Sequence, residues 1–210
     1  MRPLVATVDL AALRHNYQLA KQCAPGRKAF AVVKANAYGH GAAAAVECLR
    51  DMADGFAVAS LEEAEQVRLV DANARLLLLE GCFEPSEYVA AAELGLDVAV
   101  QGEAQLDALL AAVIERPLNL WLKLDSGMHR LGFSADALRR GHARLQGAPQ
   151  VAELNLMSHF ACADERGHPL NGAQLEQFSS LLDLAFDNRS FANSAAVLTM
   201  SAAHMDWLRP

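Results

Sequence analysis

Short apolar runs alternate along this chain with longer stretches in which alanine and leucine recur at helical spacing. The runs Lys28 to Val33, Gly55 to Ala59, Arg75 to Leu79, Asp97 to Val100, Leu118 to Leu124, Val151 to Met157 and Ser190 to Ala192 read as strands covered on both faces. Between them the pattern predicts helices near Ala42 to Met52, Leu61 to Val70, Pro85 to Leu94, Glu103 to Ile114, Ala135 to Leu145 and Ala173 to Phe186, and a first helix, Leu10 to Gln22, precedes them all. Leu4 to Asp9 also reads as a strand. The alternation implies successive βα units and a parallel sheet. Seven such strands, with no dinucleotide glycine fingerprint after the first, favour a closed α/β barrel over an open doubly wound sheet.

Composition narrows the function classes. A chain of 210 residues, 53% hydrophobic and 6% aromatic, can bury a large aliphatic core, and no linker or low-complexity segment divides residues 1–210, so one domain is expected. A net charge of −7, with lysine and arginine scattered, argues against nucleic acid as a partner. The start is too interrupted by Asp9, Arg14 and His15 for a signal peptide, and no segment reaches membrane-spanning length, which points to a soluble, cytoplasmic protein. Cys23, Cys48, Cys82 and Cys162 form no Cys-x-x-Cys pair, and His159 with Cys162 lacks the further ligands a metal would need, so neither disulfides nor a metal site is expected.

The most informative chemistry lies at the end of the first strand. Lys34 follows a buried apolar run and precedes a turn containing Gly39 and Gly41, so its amine emerges from a low-dielectric wall. Partial desolvation there suits an amine that must react as a nucleophile. The helix starting near Ala42 offers an N-terminus suited to an anion. Taken singly, Lys34 is an ordinary snorkelling lysine, Arg130 and Lys123 a surface pair, His159 a core histidine, and Asn193 and Ser194 turn residues. A barrel would bring them to one rim, because Lys34, Arg130, His159 and Ser194 all fall at or just beyond predicted strand ends, where such folds gather their active-site residues.

Several segments, in order, carry a family resemblance. Ala31-Val-Val-Lys-Ala-Asn-Ala-Tyr-Gly-His-Gly41 resembles the pyridoxal-phosphate lysine motif of bacterial alanine racemases. Leu122-Lys-Leu-Asp-Ser-Gly-Met-His-Arg-Leu-Gly132, Met157-Ser-His-Phe-Ala-Cys-Ala-Asp-Glu165, Ala192-Asn-Ser-Ala-Ala196 and Asp206-Trp-Leu-Arg-Pro210 resemble further segments of the same family in the family's order. The resemblance covers essentially the whole chain but only the N-terminal portion of the family's length. It implies a (β/α)8 barrel whose eighth strand begins near Trp207 and is cut short, with the family's C-terminal β domain, the partner of Leu4 to Asp9, beyond these residues. On that reading the chain is a fragment of marginal stability.

The resemblance also implies roles. Lys34 would hold pyridoxal phosphate covalently and serve as one of two bases at the α-carbon of alanine. Tyr38, Asn193 and Ser194 would receive the phosphate, and Arg209 would face the pyridine nitrogen. Arg130 would lie near the cofactor's phenolic oxygen and the substrate carboxylate, and His159 would orient Arg209. Lys123 matches a lysine carbamylated in some members. The second base, in the family a tyrosine from the partner subunit of a homodimer, has no counterpart in the motifs around Tyr17, Tyr38 and Tyr88, so weak or absent racemisation is expected of these residues alone. Two alternatives remain: a pyridoxal-phosphate homeostasis barrel, and a decarboxylase of the same barrel type, which would be expected to keep an acid where Arg209 stands.

Overall fold

The structure is a computed structural model that describes residues 3–210. Eight parallel strands close into a barrel in sequential order: β1 (Lys28–Val32), β2 (Gly55–Val58), β3 (Leu76–Leu78), β4 (Asp97–Val100), β5 (Leu118–Lys123), β6 (Val151–Met157), β7 (Arg189–Asn193) and β8 (Trp207–Arg209). The eighth is only three residues long, yet it pairs with both β7 and β1, setting Lys28 opposite Trp207 and Ala29 opposite Leu208. Closure leaves no sheet edge exposed.

Helix α1 (Leu10–Cys23) precedes the barrel. The outer ring is α2 (Ala42–Leu49), α3 (Leu61–Val70), α4 (Glu87–Glu93), α5 (Glu103–Ala111), α6 (Ala135–Leu145), α7 (Pro169–Ser179) and the short α8 (Ser194–Thr199).

The two-residue period of each strand sorts the core. Phe30, Ala57, Leu77, Ala99, Trp121, Met157 and Trp207 point into the barrel, while their neighbours, such as Phe56, Leu76, Leu78, Val98, Leu120 and Leu208, point outward against the helices. Phe30 stacks on Trp207 with centroids 4.1 Å apart, and Trp121 meets both edge-on, so bulky aromatics plug the N-terminal half of the barrel. Beneath them Asp97 accepts from Trp121 Nε1 at 2.8 Å, Arg75 Nε at 2.9 Å and Asn119 Nδ2 at 2.9 Å, and Arg75 also meets Glu153. Every charge in this buried cluster has a partner, as burial demands.

Three expectations need correction. Leu4 to Asp9 is not a strand: it is irregular and exposed, Leu4 by 96%, and Asp9 instead caps α1 by accepting from Ala12 N at 3.0 Å. The helix expected over Ala173 to Phe186 starts earlier, at Pro169, which needs no amide partner in a first turn, and ends at Ser179. The glycine-rich turn after Lys34 is a left-handed helical turn, with Ala35, Asn36, Ala37 and Tyr38 all at φ between 51° and 54°. Such backbone costs L-residues about 1–2 kcal/mol each. It is held by Ala37 N donating to Val33 O at 2.7 Å, Gly39 N donating to Ala35 O at 3.1 Å and Ala35 N donating to Glu63 Oε1 at 2.7 Å.

Candidate active site

The C-terminal ends of the strands surround a cavity of about 770 Å³. All eight residues singled out from the sequence, Lys34, Tyr38, Lys123, Arg130, His159, Asn193, Ser194 and Arg209, line it. Val32, Leu79 and Met157 form its apolar floor, continuing the inward-facing barrel core. Volume and lining match a small-molecule site: a concave cavity with an apolar floor and convergent polar groups on its wall.

Each side chain is set by its element. Lys34 leaves β1 half-buried, and the left-handed turn carries the chain round so that Tyr38 returns to the same cavity. Strain of this kind persists where the surroundings over-determine it, and here it sets two site residues side by side. Arg130 sits on a loop clipped back onto β5: Phe133 N donates to Lys123 O at 2.8 Å, and Asp125 Oδ1 accepts from Gly127 N and His129 N. Gly132 in this loop, at φ 137°, has no room for a side chain, since a Cβ would come within 2.5 Å of Asp125 N. Asn193 ends β7 and caps α8, its side-chain oxygen accepting from Ala196 N at 3.1 Å, so the first turn of α8 faces the cavity through Ser194 and Ala195.

The helix start expected at Ala42 to suit an anion does not border the cavity. The start of α2 is closed by Asn36, whose Oδ1 accepts from Ala42 N at 2.8 Å, and the helix start that borders the cavity is that of α8. Arg209, 5% exposed, donates to Ser190 Oγ and to the carbonyl oxygens of Ser158 and Phe191. Burial lowers its pKa only to about 10, so it stays charged at neutral pH.

The cavity is predominantly cationic. Lys34, Lys123, Arg130 and Arg209 converge on it, and none forms an ion pair among the described residues. Burial, reinforced by Arg209 and Arg130, lowers the Lys123 ammonium from 10.5 to about 8. Burial and the same cations, with Lys123 and Lys34, push His159 down to about 3, so its imidazole is neutral across the physiological range. A neutral ring bordering Arg209 and Arg130 adds no further positive charge to a crowded site.

Sequence reasoning missed two acids on the cavity wall, Glu80 and Asp164. Glu80 ends an apolar run just before Gly81, the same strand-end pattern that singled out Lys34, and Asp164 lies inside a segment already recognised. The tyrosines are settled by their partners. Tyr17 donates to Ala29 O at 2.8 Å and Tyr88 to Gln105 O at 2.9 Å, and burial pushes both phenols up, so neither reaches the site as a base. No cluster of metal-ligating side chains occurs among the described residues.

Comparison with known proteins agrees with this geometry. A family profile described as alanine racemase, N-terminal domain, matches residues 8–210. The chain belongs to that family. Within it, the chain is 73% identical over 210 residues to the alanine racemase of Stutzerimonas stutzeri, covering all of this chain and 59% of that one. The crystal structure of biosynthetic alanine racemase from Pseudomonas aeruginosa superposes with a TM-score of 0.98 at 70% identity, again over 100% of this chain and 59% of the other. The alanine racemase of Bartonella henselae, whose structure is described as having covalently bound pyridoxal phosphate, gives a TM-score of 0.87 at 28% identity, covering 98% and 61%. This chain therefore spans about three fifths of the length of the racemases it matches.

Proposed function

We propose that these residues form the pyridoxal-phosphate half of an alanine racemase active site, interconverting L- and D-alanine. The observation that carries this reading is the convergence on one small cavity of four cations that form no ion pair among the described residues, against only two wall acids, Glu80 and Asp164. A cofactor with a phosphate and a phenolate, and a substrate with a carboxylate, supply the anions such a site requires. When bound, pyridoxal phosphate acidifies the α C–H of an amino acid by delocalising the resulting charge.

The chain's own groups do the rest. The Lys34 amine holds the cofactor covalently and takes or returns the α-proton on one face. Tyr38 and the first turn of α8, at Asn193 and Ser194, hold the phosphate. Arg209, fixed by Ser190 and Ser158 and charged at neutral pH, would face the cofactor's ring nitrogen as a donor that does not surrender its proton. A guanidinium there would leave the ring nitrogen unprotonated, favouring simple removal and return of the α-proton over side reactions. Arg130 binds the substrate carboxylate, and His159 orients the guanidinium of Arg209. The base for the other face comes from outside these residues, since Tyr17 and Tyr88 are committed to the core. A tyrosine of the partner subunit in a homodimer meets that need.

The 70% identity to a racemase named biosynthetic supports a role in supplying D-alanine to the cell wall, in the cytoplasm where its precursors are made. With its lowered ammonium pKa, Lys123 presents enough free amine near pH 8 to take up carbon dioxide as a carbamate, which would pair with Arg130. An intact mass unchanged by bicarbonate would remove that element of the proposal.

The test of the whole reading is to incubate the protein with pyridoxal phosphate, reduce with borohydride and map the adduct. A single stoichiometric adduct on Lys34 is expected. Labelling spread over surface lysines would sink it.

A further inference from the structure

One buried polar side chain outside the cavity is tied to two of the segments that build it, those after β5 and β6. Gln174, on α7, is 0% exposed and uses its whole amide. Its Nε2 donates to Ser126 Oγ at 2.9 Å and to His159 O at 2.9 Å, and its Oε1 accepts from Ala161 N at 2.9 Å. Ser126 Oγ lies 2.8 Å from Ser158 Oγ, which lies 2.8 Å from Leu124 O.

Donor arithmetic fixes the direction of every link. A carbonyl only accepts, so Ser158 spends its one proton on Leu124 O. Ser126 must then donate to Ser158, and can only accept from Gln174. The His159 carbonyl and the Ala161 N–H independently demand the same amide orientation. The chain therefore runs one way, from Gln174 to Ser126 to Ser158 to Leu124, and needs an amide at its head.

What this chain holds is the cation side of the site. Ser126 belongs to the loop carrying Arg130, and both border a second, much smaller cavity with Lys123 and His159. Gly127, beside Ser126, rests on the same helix, since a Cβ there would lie 3.3 Å from Leu170 and 3.6 Å from Gln174. Ser158 offers Arg209 its carbonyl. Arg130 itself is exposed, so its placement depends on the backbone of its loop rather than on contacts of its own head.

We infer that Gln174 is a positioning residue for substrate-carboxylate binding, acting through Ser126 on the loop that presents Arg130. The inference rests on the proposed racemase site. Gln174→Glu keeps the shape but sets a carboxylate oxygen against His159 O and removes the donor that Ser126 accepts. A shifted guanidinium weakens carboxylate binding more than it slows chemistry performed by Lys34, and displacements of this order change binding or rate by about tenfold to a hundredfold.

The experiment compares wild type, Gln174→Glu and the milder Ser126→Ala in the racemising enzyme. First, each is loaded with pyridoxal phosphate and the Lys34 adduct is mapped; a wild type without that adduct ends the functional reading itself, whatever the variants do. Then the dissociation constant of the loaded protein for propionate, a carboxylate without an amine, is measured by calorimetry beside KM and kcat for L-alanine and the thermal midpoint. The expected result is a rise of about tenfold in both the propionate constant and KM for Gln174→Glu, with kcat changed less than about threefold, and a smaller rise of the same pattern for Ser126→Ala. A lowered thermal midpoint with propionate binding and KM unchanged in both variants, or a fall in kcat alone, would overturn the inference.

Discussion

The two ends of this barrel handle charge in opposite ways. At the N-terminal end Asp97, Arg75, Glu153 and Asn119 close on one another beneath the Phe30, Trp121 and Trp207 plug, and each ionised group has an opposite charge within 2.8 Å. At the C-terminal end Lys34, Lys123, Arg130 and Arg209 share one cavity with no ion pair among the described residues. The same eight strands carry both, so the difference does not come from the fold. It separates a part of the molecule that is complete from a part that is complementary to something else, matching the division of barrels into a stabilising bottom and a reactive top. Substitutions at the two ends should therefore fail in different assays.

The largest effect is expected at the top and should leave the fold alone. Lys34→Ala should abolish the borohydride-trapped adduct, lower alanine racemisation by on the order of 10⁴ in the enzyme that also carries the second base, as removal of a covalent and proton-transferring group does, and leave the thermal midpoint essentially unchanged. At the bottom, Asp97→Ala should do the reverse. It strips Arg75 and Trp121 Nε1 of a buried acceptor, a loss of about 3–5 kcal/mol of stability measurable by urea unfolding, while the folded fraction still forms the Lys34 adduct. A folded Asp97→Ala protein unable to trap the cofactor would show that the two ends are coupled and that the division drawn here is false.

Lys123 tests whether the top carries a real stability cost. It is 7% exposed, and its ammonium falls from 10.5 to about 8, first through burial and then through Arg209 and Arg130. Between pH 8 and 10.5 the unfolded chain keeps a proton that the folded protein has released, so stability rises with pH across that window. Below pH 8 both states hold the proton and the full cost, at most about 3 kcal/mol, is present. Lys123→Met should therefore raise the thermal midpoint at pH 7 in bicarbonate-free buffer, by several degrees at this chain length, with the gain shrinking towards pH 10. No gain at pH 7 would mean that the site relieves its own crowding without a ligand.

How much of this could be read from the chain differs between the two ends. The strands were legible because both of their faces are buried, so each appears as a continuous apolar run. Lys34, Arg130, His159, Asn193 and Arg209 were legible because they sit in recognisable segments at strand ends, and all of them reach the cavity. The left-handed turn is not: Ala35 to Tyr38 contains no glycine, and beside the local Ala37 N to Val33 O bond it is held by Glu63, 28 residues from Ala35, a tertiary contact that no local pattern records. In sequence Gln174 is one of several polar residues within a helical stretch, and Asp97 simply begins an apolar run. Their burial depends on partners 22 to 48 residues away, such as Asn119 and Ser126, and no local pattern records such pairings. The misplaced start of α7 had a local signal in His168-Pro169 that the apolar periodicity overrode.

The smallest predicted effect separates structure from function most finely, because it compares two helix caps of similar energy. Ser134 Oγ caps α6 by accepting from Ala137 N at 3.3 Å, and Asn193 Oδ1 caps α8 by accepting from Ala196 N at 3.1 Å. Replacing either by alanine should cost about 1 kcal/mol of stability. Only Asn193 stands on the cavity wall, where it fixes the turn that presents Ser194 and Ala195. Asn193→Ala should thus also weaken pyridoxal phosphate binding, by several-fold in a fluorescence titration, while Ser134→Ala leaves it unchanged. Equal affinities in the two variants would detach the phosphate from α8 and leave Tyr38 as its remaining anchor in this part of the cavity.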